Sequence, residues 1–144
     1  MAGGGLTSLA ALEGRWRLSR RILHADGTEN ALEGVAVFRR SGPRLVQDEA
    51  GELSGHGLPG PVRAARRYLW VQDGWRLECL FEDGRPFHTV PLGVVRPETT
   101  HLCPPDRYHV TYDFAGFPVW RSVWRVEGPR KGYHMTTDYG RAGD

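Results

Sequence analysis

The sequence predicts an all-β protein, an antiparallel up-and-down barrel of about eight to ten strands that follows one short N-terminal helix. From Arg15 onward, apolar and polar residues alternate as they do in half-buried strands. Asp73-Gly74 and Asp83-Gly84 are strong two-residue turn signals, and such tight turns join antiparallel neighbours. A long meander disposes of its edges most directly by closing into a barrel, and a two-sheet sandwich is the alternative.

The composition fits one globular domain. The chain has 144 residues, of which 40% are hydrophobic and 25% charged. Its formal net charge is only +2 and arginines are interspersed with acids, so we expect no nucleic-acid partner. No apolar run approaches the length of a membrane span and the first residues do not resemble a signal peptide, so we expect a cytoplasmic protein without a membrane partner. Two cysteines are too few for a disulfide framework.

The elements follow in order along the chain. Residues 1–5 are glycine-rich and predict a flexible tail, and residues 6–144 form the single barrel domain. Thr7 or Ser8 is suited to cap a short helix over 9–12. The stretch 96–106 is interrupted by prolines. About nine or ten short strands are expected, around residues 15–23, 32–40, 45–49, 62–72, 75–82, 85–92, 107–114, 119–127 and 133–141.

A short motif stands where the first strand begins. Leu12-x-Gly14-x-Trp16 resembles the Gly-x-Trp signature of the calycin superfamily, which includes the lipocalins. In that superfamily the indole closes one barrel end and a late arginine packs over it in a cation–π contact. The resemblance implies that Arg141 covers Trp16, with Arg125 as the second candidate.

Three charged residues share faces with apolar ones. Arg20 alternates with Trp16 and Ile22, Arg66 alternates with the aromatic residues at 68 and 70, and Glu49 shares a face with Gln47. A buried guanidinium needs a partner, because an unpaired buried charge is very costly. Either Glu49 pairs with one arginine in a structural network, or an arginine is left to bind a ligand carboxylate or phosphate.

All the tyrosines fall on inferred inner faces, where their rings would build apolar walls and their hydroxyls would orient a ligand. The candidate ligand-binding tyrosines are Tyr68, Tyr108, Tyr112 and Tyr139. Tyr133 is the fifth tyrosine on an inferred inner face.

Two histidines lie in dense polar segments. His88 and His101 are candidates for general acid/base chemistry, with Glu49 or Asp106 to orient them. His101-x-Cys103 lacks the paired second motif of a zinc site, so we expect no metal, and no feature indicates a cofactor.

The motifs together resemble a bacterial family catalogued as domain of unknown function 6314. Gln47 departs from the pattern, which has an aromatic residue before the glutamate. The resemblance implies a discrete calycin-like domain and assigns no reaction. It rests on Leu12-x-Gly14-x-Trp16, Gly34-x-Ala36-x-Phe38, Glu49-x-Gly51, Arg67-Tyr68-x-Trp70, 81–88, His101-x-Cys103-x-x-Asp106-x-Tyr108, Trp120, Trp124, 128–131 and Tyr139-x-Arg141.

Three functions are compatible with these patterns. The first is binding of a small, largely apolar, acidic molecule in the cavity, anchored by Arg20 or Arg66. The second is a small cofactor-free isomerase, cyclase or hydrolase that uses a cavity histidine. The third is a protein-interaction domain with exposed aromatic residues such as Trp75 or Phe117. An edge left by imperfect closure would let two copies pair as a homodimer.

Overall fold

Ten antiparallel strands form one sheet in the computed structural model, which describes residues 4–142. Along the sheet the order is β6-β5-β4-β3-β2-β1-β10-β9-β8-β7, so the first and last strands of the chain are neighbours. The strands are β1 (Gly14–His24), β2 (Glu29–Ser41), β3 (Arg44–Gly55), β4 (Val62–Asp73), β5 (Arg76–Phe81), β6 (Pro86–Pro91), β7 (Glu98–Cys103), β8 (Asp106–Asp113), β9 (Trp120–Gly128) and β10 (Lys131–Arg141).

The sheet curls into a nearly closed barrel, as the sequence predicts. β1 pairs with β10 from Trp16↔Arg141 to His24↔Tyr133. Its two edge strands, β6 and β7, meet through side chains: the rings of Phe87 and His101 are 5.5 Å apart between centroids. Within the described residues no backbone ladder joins these two strands. The barrel therefore has one seam.

The N-terminal helix is a single 3-10 turn at Leu9–Leu12. Ser8 occupies its N-cap position but its side chain makes no capping hydrogen bond, so this part of the expectation is wrong. The turn is stabilised by burial of Leu9 and Leu12 instead. Of the expected tail, residues 1–3 lie outside the described residues, and the carbonyl of Leu6 already accepts a hydrogen bond from Gly93.

The proline-interrupted stretch contains a strand that the pattern did not reveal. β7 runs between Pro97 and Pro104, so the prolines bound the strand and leave its backbone donors intact. Pro86 and Pro91 likewise stand at the two ends of β6, the other edge strand. The prolines within β6 discourage pairing with foreign strands at that edge, whereas β7 contains none.

Alternation along the strands sorts side chains into an interior and a surface. The interior is mostly apolar. Among the described residues, no helix is long and apolar enough to cross a membrane. Cys79 is a buried core residue and Cys103 is exposed. Polar residues on the inner faces are also buried: Arg20, Gln47, Glu49, His88, Ser122 and Thr137.

Candidate ligand-binding pocket

One end of the barrel is closed by Trp16 and Arg141. The Trp16 indole is fully buried, and the Arg141 guanidinium carbon lies 3.9 Å from the ring centroid. Arg141 also donates hydrogen bonds to the carbonyls of Ala11 and Glu13, which ties the last strand to the N-terminal turn. Arg125, the second candidate from the sequence, is exposed on β9. This is the arrangement that the Gly-x-Trp resemblance implies.

Gly14 is required for that arrangement. Its φ of 129° is one that other residues rarely adopt, and a Cβ here would lie 2.6 Å from Nη1 of Arg141. A side chain at this position would therefore push Arg141 away from Trp16. Phe117 packs on the same indole, with ring centroids 5.7 Å apart, and so is not the exposed docking aromatic that the third hypothesis needs.

Deeper in the barrel, Arg20 and Glu49 form a buried ion pair. Nη2 of Arg20 lies 2.9 and 3.1 Å from the two carboxylate oxygens, and Nε donates to the Thr137 hydroxyl at 2.8 Å. The two side chains are only 7% and 2% exposed. Of the two arginines considered from the sequence, Arg20 is the one that Glu49 neutralises.

A wider network holds Glu49 in place. One carboxylate oxygen, Oε2, also accepts hydrogen bonds from Gln47 at 2.8 Å and from the Tyr139 hydroxyl at 3.0 Å. Gln47 in turn accepts a hydrogen bond from the indole N–H of Trp70 at 2.7 Å. The sequence places Gln47 beside Glu49 on one face but does not indicate that it binds the carboxylate. Its shared face with Glu49 was the signal that it belongs to the same network.

Burial and charge together set the protonation of this network. Burial is the largest single influence on Arg20 and disfavours its charge, but the interactions with Glu49 and Tyr139 together outweigh it and the pKa of Arg20 is raised. For Tyr139, burial and the Glu49 carboxylate both raise the pKa. Arg20 therefore stays charged and Tyr139 stays a neutral hydrogen-bond donor.

Arg66 lies on the inner face of β4, where its side chain emerges at the open end of the barrel. Nη1 is 3.2 Å from the hydroxyl of Tyr68, and the guanidinium carbon is 6.0 Å from the centroid of the Trp124 ring. Among the described residues no carboxylate lies within ion-pair distance of it. Arg66 is thus a cation at the barrel mouth without a carboxylate partner among the described residues.

A pocket of about 130 Å³ lies beside Arg66. Its floor includes the Arg20–Glu49 pair, and its walls are largely apolar. The apolar lining residues are Ile22, Leu32, Leu53, Ala64, Ala65 and Met135. With two arginines and one glutamate in the lining, the pocket carries one net positive charge.

The candidate tyrosines divide between the interior and the rim. Tyr68, Tyr112 and Tyr139 are buried, and burial is the main reason that the pKa of Tyr68 is raised to about 12. Tyr108 is half-buried near the open end, where its hydroxyl accepts a hydrogen bond from Lys131 at 3.0 Å. None of these four tyrosines lines the pocket beside Arg66, which we call the outer pocket.

His88 is inside the barrel and uncharged. Its Nε2 lies 2.7 Å from the Tyr112 hydroxyl, and burial is the main cause that lowers its pKa to about 3, with His101 adding to the effect. Neither of the carboxylates expected to orient a histidine contacts it. Glu49 is bound by Arg20, and Asp106 is 3.3 Å from Lys131.

His101 is half-buried on β7, against the rings of Phe81, Phe87 and Tyr108. Its nearest aromatic neighbours therefore belong to the seam and the rim. His88 and Glu49 both line a second, smaller cavity deeper in the barrel. His101 and Asp106 are not part of its lining.

Comparison with known proteins identifies the family. A family model described as "Family of unknown function (DUF6314)" matches residues 12–141. The chain belongs to this family. The match spans both the Gly-x-Trp motif at the start of the DUF6314 barrel and the arginine that covers it. No curated protein sequence matches the chain significantly.

Solved structures resemble this DUF6314 barrel in fold. An S-type phycobiliprotein lyase from Guillardia theta aligns with a TM-score of 0.56 and 9% identity, covering 93% of this chain and 90% of the lyase. A de novo designed fluorescence-activating β-barrel aligns with a TM-score of 0.50 and 15% identity, covering 95% of this chain and 99% of the design. At these identities the likeness concerns the architecture.

Proposed function

We propose that this domain binds a small, largely apolar acid in the pocket at the open end of the barrel, with Arg66 as its anchor. The observation that carries the proposal is the contrast between the two arginines. Arg20 is matched by Glu49, whereas Arg66 borders the same pocket without a carboxylate partner. A guanidinium so placed can bind a carboxylate or phosphate through two parallel hydrogen bonds.

The walls define the rest of the ligand. Aliphatic side chains such as Leu32, Leu53 and Met135 offer only nonpolar contact. Burying an aliphatic chain against them stabilises the complex by about 25 cal/mol for each Å² removed from water. A pocket of about 130 Å³ accommodates a short chain or one end of a longer molecule. The likeness to a phycobiliprotein lyase and a fluorescence-activating barrel supports small-molecule binding only in general terms.

Hexanoate and hexan-1-ol test the anchor, because they share a six-carbon scaffold and differ in charge. We expect hexanoate to bind more tightly than the alcohol in titrations followed by NMR. Arg66→Met should reduce hexanoate affinity about ten- to hundredfold, the usual range for a hydrogen bond to a charged group. Hexan-1-ol affinity should change little.

Arg63→Met is the matched control, because Arg63 is an exposed arginine of β4 whose position in the strand alternation places it on the outer face. It removes the same charge without touching the pocket. Equal loss of hexanoate binding in both variants would mean that only general attraction by positive charge is at work, and the proposed anchor would be wrong.

We also propose that the protein works in the cytoplasm and that its open seam allows two copies to pair. Cys103 is exposed as a free thiol, which suits a reducing compartment.

The outer edge of β7 carries unpaired backbone groups and an exposed Leu102. A mass near twice 16.2 kDa in size-exclusion chromatography with light scattering would support pairing, and a single chain at high concentration would oppose it.

A further inference from the structure

A second, smaller cavity lies next to the outer pocket, deeper in the barrel. It has a volume of about 20 Å³ and shares three lining residues with the pocket: Arg20, Glu49 and Arg66. Its remaining walls include His88 and Trp120. We call it the inner cavity.

Two residues that line the inner cavity each carry an orphaned polar atom. Nδ1 of His88 and Nε1 of Trp120 are buried and have no hydrogen-bond partner among the described residues. Both side chains are more than nine-tenths buried, at 6% and 4% exposure. A buried polar group without a partner costs about 1–3 kcal/mol, and native proteins rarely retain one. Because both residues line the inner cavity, an occupant of that cavity is the nearest available source of a partner.

The chemistry of these atoms restricts the occupant. The indole N–H of Trp120 is a donor only, so its partner must be an acceptor. Arg20 and Glu49 already neutralise each other, and His88 is uncharged at neutral pH. Because the acidic group of the ligand uses the charge of Arg66, a second anion at Trp120 would be buried without a counterion. The occupant is therefore an uncharged oxygen.

The size of the inner cavity points the same way. About 20 Å³ is enough for one water, which needs a cavity of about 10–15 Å³. It is likewise enough for a single carbonyl group. Arg66 lines both cavities and donates one hydrogen bond of 3.2 Å to the Tyr68 hydroxyl.

We propose that the inner cavity is a second subsite of the same ligand, which takes an uncharged carbonyl oxygen within hydrogen-bond reach of Trp120 Nε1. This inference rests on the proposed function and makes the preferred ligand an oxo acid. Its acidic group binds Arg66, its aliphatic part fills the outer pocket and its carbonyl group replaces water in the inner cavity.

Hexanoate and 5-oxohexanoate test this subsite, because they differ by one carbonyl group. We expect the oxo acid to bind about tenfold more tightly, as one additional satisfied hydrogen bond would give. The chain has five tryptophans, so the indole N–H region of a ¹H–¹⁵N spectrum is simple to assign. The Trp120 proton should move downfield with 5-oxohexanoate and stay in place with hexanoate.

Substitutions of Ser122, another buried residue in the lining, separate space from chemistry. Ser122→Val fills part of the inner cavity and should remove the preference for the oxo acid while hexanoate affinity stays the same. Ser122→Ala keeps the space and should keep the preference. If the valine variant does not fold, the Trp120 signal of the unmodified protein still decides the matter.

The outcomes separate the two proposals. Equal affinity for both acids, or a Trp120 proton that ignores 5-oxohexanoate, would overturn the inner subsite while Arg66-dependent hexanoate binding upheld the outer pocket. A Trp120 response that persists in Arg66→Met with undiminished affinity would uphold the subsite and overturn the anchor. Binding of neither acid would overturn both.

Discussion

Arg20 on β1 and Glu49 on β3 face each other inside the barrel, where one guanidinium nitrogen donates to both carboxylate oxygens at 2.9 and 3.1 Å. The pair decides how the pocket is charged. Because Glu49 is already bound by Arg20, Gln47 and Tyr139, it is not available to neutralise Arg66. In the proposed function, the cation left over at the barrel mouth is the group that binds the acid.

Glu49→Gln should destabilise the fold strongly, because it leaves Arg20 as a buried charge without a counterion. Removing one partner of such a pair typically costs about 3–5 kcal/mol. Urea unfolding followed by tryptophan fluorescence measures the loss. The double variant Arg20→Met/Glu49→Leu should recover most of it, since similar-sized apolar pairs often replace buried ion pairs at little cost. A loss below about 1 kcal/mol in Glu49→Gln would show that the pair is not isolated from water.

Arg141→Met should lower the free energy of unfolding by about 1–3 kcal/mol. It removes the cation–π contact with Trp16 and two hydrogen bonds to the N-terminal turn. Arg125→Met is the control, because Arg125 is exposed and was the alternative candidate for this position. Equal effects of the two substitutions in urea unfolding would contradict the assignment of the barrel closure to Arg141.

His88 should make stability fall as the pH drops from 7 to 5. In the unfolded chain a histidine takes up a proton near pH 6.5, whereas burial holds the pKa of His88 at about 3 in the folded state. Between these values the unfolded state binds one more proton, so the free energy of unfolding decreases by up to about 1.4 kcal/mol per pH unit. The effect is absent above pH 7.

Variants at two histidines isolate this contribution. His88→Gln should flatten the pH dependence between 7 and 5, and His56→Gln, at an exposed position, should not. Urea unfolding at several pH values gives the slopes. The window from pH 7 to pH 5 lies above the range in which carboxylates titrate. Hydrogen bonds lower the pKa values of Asp26, Asp83 and Asp113 further, so these groups do not obscure the contribution of His88. An unchanged slope in His88→Gln would mean that His88 is accessible to water.

The fold could be predicted because its signals are local and repeated. Gly74 and Gly84, for example, adopt the positive φ values of 60° and 90° that the Asp-Gly turn signals predict. Alternation then places Trp16, Arg20 and Tyr68 on the inner face. The strand β7 escaped detection because few of its residues are buried and prolines stand on both sides.

The site could be predicted only in part, because pairing across the barrel is not local. The sequence placed Arg20, Arg66 and Glu49 inside but could not say which arginine Glu49 would meet. The backbone register does not decide it, because Arg66 stands directly opposite Glu49 on the neighbouring strand. The choice depends on the direction of the side chains: Arg20 reaches the carboxylate from β1, whereas Arg66 contacts the Tyr68 hydroxyl. His88 contacts Tyr112 and neither carboxylate. Its assignment as a catalytic residue, with His101, stays a prediction.

The most direct test of the proposed pocket uses its methionine. The chain has two methionines, Met1 and Met135, and Met135 is 2% exposed in the pocket wall. With ¹³C-methyl labelling of methionine, hexanoate should shift the Met135 methyl signal and give nuclear Overhauser contacts from its own methylene protons to that methyl group. Saturating hexanoate that leaves the Met135 signal unmoved would contradict binding in the pocket.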